Sequence, residues 1–139
     1  VKICLDASLL VDLMLPTTAT RIVRLWREWL NREVEFVAPT LVFSEVASAL
    51  RRLRSQEQIT PEEALAGYDA FLDISLSPVS DKELARRAWE LADLLRLRRP
   101  YDMFYVALAE REGCELWTTD DDLRETMSRG AEWVAVRVP

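Results

Sequence analysis

The 139-residue chain contains no histidine, and its two cysteines, Cys4 and Cys114, have no partners at metal-ligand spacing. A serine or cysteine nucleophile worked by an imidazole base is thereby excluded, and a zinc site of thiolates and imidazoles lacks its ligands. Both thiols fall in or beside apolar runs and read as small buried hydrophobes rather than as a disulfide. No apolar run approaches the roughly 20 residues that span a bilayer. Nor does the N-terminus show a basic region followed by an apolar segment and a small-residue cleavage site, so a soluble protein of the cytoplasm, with no membrane partner, is expected. Stretches rich in Pro, Gly and Ser are missing too, and with them any linker; one domain over residues 1–139 is expected, with 50% of its residues apolar.

Positive charge is also in deficit. A formal net charge of -6 argues against a protein that holds nucleic acid by bulk electrostatics. It leaves room for an enzyme acting on nucleic acid, because a carboxylate site is part of that charge and bound cations neutralise it locally. Lysine occurs only at positions 2 and 82, whereas arginine is clustered at Arg51, Arg52 and Arg54, at Arg86 and Arg87, and at Arg96, Arg98 and Arg99. The clusters read first as solvated helix faces laced with i,i+4 ion pairs, with phosphate contact as the competing reading.

The order of elements is legible from periodicity and punctuation. Residues 2–5 form a short apolar strand, and the helical stretch after Asp6 stops at Pro16. Ile22, Val23, Leu25, Trp26, Trp29 and Leu30 recur at helical spacing from Thr20 to Asn31. Glu35–Ala38 reads as a strand, and Leu41 to Leu53 as a helix with Glu45 one turn in. Thr60-Pro61-Glu62-Glu63 has the form of a capping box with proline at the first helical position, opening a helix to about Leu72. Ile74–Val79 is a possible strand, Ser80 with Glu83 a second capping box, and the helix behind it runs to about Leu97 before Pro100. Helix 102–111, strand 115–118, short helix 123–127 and strand 133–136 complete the chain. Strands alternate with helices throughout, which predicts an α/β fold, a three-layer α/β/α sandwich around a central, mostly parallel sheet of four to five strands. Sites in such folds lie beyond the carboxyl ends of the strands, where strand order switches.

Four acids fall where an apolar run stops or a helix begins: Asp6, Glu45, Asp102 and Asp120. Together they suggest a carboxylate cage, and oxygen ligands alone suit Mg²⁺ or Mn²⁺. Each is also open to a plain structural reading. Asp6 and Asp102 stand where a carboxylate caps a helix or favours its dipole, Asp6 accepting from the N–H of Ser8 or Leu9. Glu45 lies beside an apolar stripe and needs a partner, which Arg52 two turns on would supply. Asp120, Asp121 and Asp122 repel one another, which either a dication or a helix N-terminus offsets. Asp12, Asp69, Asp73, Asp81 and Asp93 read as helix-surface acids.

The order and wording of these segments resemble the PIN domain, and within it the VapC-type toxins of toxin–antitoxin pairs. The likeness runs from LDASLLVDLML through PTLVFSEVASALRR and PYDMFYVALAEREG to LWTTDDDL, and YDMFYVALAE is its most specific part. The resemblance implies metal-ligand and catalytic roles for Asp6, Glu45, Asp102 and Asp120, with Ser8 and Thr118 orienting a ligand or water and Asp122 as an additional acid. It implies a Mg²⁺- or Mn²⁺-dependent endoribonuclease that cuts single-stranded or looped RNA such as tRNA or rRNA. A cognate antitoxin lodged near the acids and a homodimer are implied with it; five tryptophans in so small a chain suit a partner-facing surface. The arginines beside Glu45 are open to guiding phosphate or to receiving the antitoxin.

Competing readings are a housekeeping PIN nuclease of RNA processing or decay, which a small antitoxin gene upstream would argue against, and a PIN-like binding module without activity. A Mg²⁺-binding receiver-like domain is disfavoured because it needs a lysine near the last strand, and none follows Lys82.

Overall fold

The computed structural model describes residues 1–139. Its centre is a five-stranded sheet of order β3-β2-β1-β4-β5, made from β1 (Lys2–Leu5), β2 (Glu35–Pro39), β3 (Leu76–Val79), β4 (Glu115–Trp117) and β5 (Val136–Arg137). Every pairing is parallel, so the expected central sheet is present, with five strands and no antiparallel member. Seven helices connect and cover it: α1 (Ala7–Met14), α2 (Thr20–Asn31), α3 (Val42–Ser55), α4 (Pro61–Leu72), α5 (Lys82–Leu94), α6 (Tyr101–Glu112) and α7 (Asp121–Gly130).

Register fixes what each face of the sheet sees, because residues paired across parallel strands point the same way. Ile3 pairs with Phe36, and Leu5 with Trp117, on one face. There α2 supplies Trp26, stacked on Phe36 at 4.7 Å between ring centroids, and Trp29, edge-on to Trp117 at 5.0 Å. Cys4 pairs with Val37 and Leu116 and points the other way, where its thiol meets the Tyr105 carbonyl of α6 at 3.7 Å. Both cysteines are free thiols, Cys4 fully buried and Cys114 partly so. Helices α5 and α6 are joined by Arg87, which donates through two nitrogens to Glu110, each at 2.7 Å. Trp89 and Trp133 are left exposed. No helix is long and apolar enough to cross a membrane.

Several boundaries differ from the sequence reading, each for a local reason. The Thr60 box forms in both halves, but the Ser80 box does not: Asp81 is the N-cap of α5, its carboxylate accepting the Leu84 N–H at 2.8 Å. That helix ends at Leu94 rather than Leu97, because Arg96 turns to a left-handed φ of 56°. The possible strand at 74–79 is real but shorter, and it lies at a sheet edge where Pro78 breaks no ladder. The last strand is Val136–Arg137, not 133–136, and Trp133 lies outside it with its indole donating to Glu110. The i,i+4 ion pairs expected of the arginine clusters occur elsewhere, at Glu28–Arg32 and Glu125–Arg129.

Chain order runs outward from β1 to β2 and β3 on one side, while β4 and β5 occupy the other. The switch in strand order therefore falls between β1 and β4, and the crevice beyond their carboxyl ends is where such a sheet accepts a ligand.

Candidate functional site

Asp6 leaves the end of β1 with extended backbone and is only 4% exposed. Its main-chain N–H donates to the Trp117 carbonyl at 3.0 Å, joining the ends of the two central strands. A single carboxylate oxygen, Oδ2, accepts two hydroxyls at 2.6 Å each, one from Ser8 and one from the fully buried Thr118. Each hydroxyl has one proton. With both protons committed to an ionised Asp6, the 3.0 Å approach of Ser8 to Thr118 is a contact rather than a third bond. The same two oxygens accept main-chain N–H groups from the following turn, Ser8 from Thr119 at 3.2 Å and Thr118 from Asp120 at 2.9 Å. The capping role open to Asp6 is not used, since its side chain bonds hydroxyls and not the first N–H groups of α1.

Thr118 therefore works from both ends, and Thr118→Val, which keeps shape but removes the hydroxyl, tests that. The variant would leave the Asp120 N–H without its acceptor and Asp6 with one donor fewer. A loss of about 1–3 kcal/mol is expected, read as a lower urea midpoint at unchanged slope.

Glu45 lies in the first turn of α3. The partner supplied to it is not Arg52 but Tyr105, whose hydroxyl donates to Oε1 at 2.7 Å from a fully buried ring on α6. Asp102 stands one turn before Tyr105 on the same helix and is partly buried. The three consecutive aspartates are sorted by the start of α7. Asp120 is its N-cap, with Oδ1 accepting from Asp122 at 3.0 Å and Leu123 at 3.3 Å. Asp121 is exposed and faces Arg124 at 3.5 Å, while Asp122 is exposed in the first turn.

Asp6, Glu45, Asp102 and Asp120 thus reach one place from four different elements, and all four line a single cavity of about 460 Å³. Ser8 lines it with them, whereas Asp122 does not. Asp12, which reads from the sequence as a surface acid, also lines the cavity, one turn beyond Ser8 on α1. Ser48 and Arg52 border it from α3.

Burial sets the electrostatics. It pushes the Asp102 carboxyl up to about 6, with the charges of Asp6 and Asp120 adding to the shift. Burial raises Asp6 as well, opposed by the Ser8 and Thr118 hydroxyls, and raises Glu45 against the Tyr105 hydrogen bond. Tyr105 is itself held far above the usual phenol range by burial and the adjoining Glu45. A partly dry cavity lined by mutually repelling carboxylates is short of positive charge. The donor set of hard oxygens suits a Mg²⁺-like ion, although no three acids stand close enough to share one ion as placed.

The family model for the PIN domain matches residues 3–127. The chain belongs to the PIN-domain family. Two relatives in Mycobacterium tuberculosis bear that out along most of the sequence. Ribonuclease VapC12 is 33% identical over 132 residues, covering 94% of this chain and 95% of its own. Ribonuclease VapC3 is 32% identical over 126 residues, covering 88% and 85%. Among solved structures, VapBC2 from Rickettsia felis, bound to a DNA fragment from the promoter, superposes with a TM-score of 0.72 over 99% of this chain and 98% of that one. At 15% identity that likeness concerns the fold alone.

Proposed function

We propose that this PIN domain is a metal-dependent endoribonuclease, the toxin of a type II toxin–antitoxin pair. The observation that carries the reading is the convergence of Asp6, Glu45, Asp102 and Asp120 on one cavity at the switch point of the sheet. The names of the relatives VapC12 and VapC3 support RNA as substrate. VapBC2, the fold neighbour held on promoter DNA, supports an antitoxin as partner. Work on cellular RNA would take place in the cytoplasm, and the PIN-domain membership favours single-stranded or looped RNA as the form cut.

The four acids would hold Mg²⁺ or Mn²⁺. When bound, the ion supplies Lewis-acid stabilisation of phosphoryl charge and a water acidified towards neutral pH, so hydrolysis needs no imidazole. The chain contributes placement. Ser8 and Thr118 hold one oxygen of Asp6 fixed, Tyr105 holds one of Glu45, and the α7 N-terminus holds one of Asp120. In each case the second oxygen is free of that bond. Burial around Asp102 keeps bulk water from screening the charges that face a scissile phosphate.

A homodimer belongs to the same reading, and exposed Trp89, Tyr101 and Trp133 are the aromatics available for it. The decisive experiment is sequencing of RNA 5′ ends after brief induction in a bacterial host. New ends clustered at one or a few sites, missing when Asp102→Asn is induced, are expected, with slowed growth that co-expression of the partner relieves. An unchanged set of 5′ ends would remove the ribonuclease assignment, and cleavage without any growth defect would favour a housekeeping role.

A further inference from the structure

The cavity does not end at the acids. It continues as a groove between α1 and α3, walled by Val11 and Leu15 on one side and by Ala49 and Leu53 on the other. Positions separated by three and four residues lie on one helix face, so Glu45, Ala49, Arg52 and Leu53 all look into it. From Glu45 to Arg52 is seven residues, about 10 Å along the helix axis. A stacked nucleic-acid strand advances roughly 3.4 Å per nucleotide, so that distance is about three steps.

Arg52 is the only cation lining the cavity, set against five carboxylates. None of the ion pairs in the structure uses it. Arg54, two residues on, faces elsewhere, into a groove between α3 and α4. A guanidinium presents a planar fork of donors that matches phosphate oxygens, and an exposed one without a carboxylate partner has that fork free. A strand whose reacting phosphate sits at the acids must bring its neighbouring phosphates along at near-fixed spacing. Arg52 is the one group in the cavity that would meet them with opposite charge, and the apolar walls between suit the intervening bases.

We propose that Arg52 is a positioning residue that holds a phosphate of the RNA a few nucleotides from the one being cut. The proposal rests on the ribonuclease reading above and adds to it a direction: the strand runs from the acids along the α1–α3 groove.

The test is binding of fluorescein-labelled single-stranded RNA by anisotropy, with Mg²⁺, in an Asp102→Asn background, across a series of KCl concentrations. Adding Arg52→Gln is expected to weaken binding about tenfold, as loss of one charged hydrogen-bonded contact does. The slope of log affinity against log salt should become shallower by about 0.7, the share of one phosphate on a single strand. Arg52→Lys should restore the slope, because an ammonium still meets phosphate as a point charge. Arg54→Gln removes the same charge from the same helix and should leave affinity and slope near the parent's. With Asp102 intact, Arg52→Gln should raise KM while kcat stays near wild type, and circular dichroism should show an unchanged fold. Parent-like affinity and slope in Arg52→Gln, or an equal loss in Arg54→Gln, overturns the assignment while RNA cleavage by the wild type keeps the ribonuclease reading. Failure of the wild type to cut any RNA removes both.

Discussion

Asp6→Asn and Asp102→Asn are each expected to lower Mg²⁺-dependent RNA cleavage by at least about 10²–10³-fold, with the fold intact. Asparagine preserves the shape of the side chain and removes its charge. At Asp6 the amide oxygen can still accept the Ser8 and Thr118 hydroxyls that now reach Oδ2 at 2.6 Å, so the ties between the ends of β1 and β4 survive. What is lost is an anionic oxygen towards the cavity. At Asp102 no cap is disturbed, because its helix takes no side-chain cap from it. Cleavage of a fluorescent RNA, with circular dichroism melts of each variant, checks both halves of the expectation. Full activity in either variant would take that carboxylate out of the chemistry.

The second large effect runs in the opposite direction. Without metal, Asp102→Asn is expected to melt higher than the wild type at pH 7.5. The Asp102 carboxyl is pushed up to about 6 in the folded chain, from 3.8 for a free aspartate. An acid whose folded pKa is raised makes folding less favourable once it ionises. That cost is absent below the unfolded value, grows as pH rises between the two, and is complete above the folded value. Metal-free wild type should therefore gain stability as pH falls from about 7.5 to about 5, and the raised carboxyls of Asp6 and Glu45 act with the same sign. Asp81 and Glu110, both held low by arginine contacts and N–H donors, oppose this only at more acid pH. Allowing for partial exposure, Asp102 alone accounts for about 1–2 kcal/mol, a few degrees in Tm. Addition of Mn²⁺ at pH 7.5 should raise the wild-type Tm by about 5–10 °C at a hundredfold excess over its dissociation constant, and that of Asp120→Asn much less. A wild-type Tm that is flat across this pH range, or equal responses to Mn²⁺ in both proteins, would show that the acids do not share one desolvated site.

Activity and stability are thus set against each other at one residue. A surface aspartate replaced by asparagine would change neither much. The opposition arises because three of the four acids are partly or fully withdrawn from water with no cation in ion-pair contact.

How much of this is legible in the sequence depends on how local the physics is. Asp6 and Asp120 stand out because a strand end is written in consecutive residues, and a parallel sheet places strand ends together. The Thr60 box is legible for the same reason, all its groups lying within four positions. The Ser80 box fails on a local ambiguity, with a second good capping residue, Asp81, immediately after the first. β5 is misplaced because a two-residue strand has no period to detect. Long-range choices are out of reach. The Tyr105 hydroxyl reaches Glu45 across 60 positions, and nothing in either neighbourhood points to the other. Asp12 reads as a surface acid because helical spacing defines faces without saying what stands opposite them; its i,i+4 relation to Ser8 is the available signal. Arg52 groups with Arg51 and Arg54 by adjacency, whereas the folded helix turns them to different grooves.

The hydroxyl pair on Asp6 divides the site into a fixed part and an adjustable part. Asp6, Ser8, Thr118 and the turn bearing Asp120 are laced into the two central strands and move only as the sheet moves. Glu45 and Asp102 come instead from helices, Glu45 tied at one oxygen to the buried Tyr105 hydroxyl and Asp102 partly buried in the first turn of α6. Any adjustment between an empty and a loaded site should therefore be one-sided, the sheet acting as the anvil while the side chains of Glu45 and Asp102 do the moving.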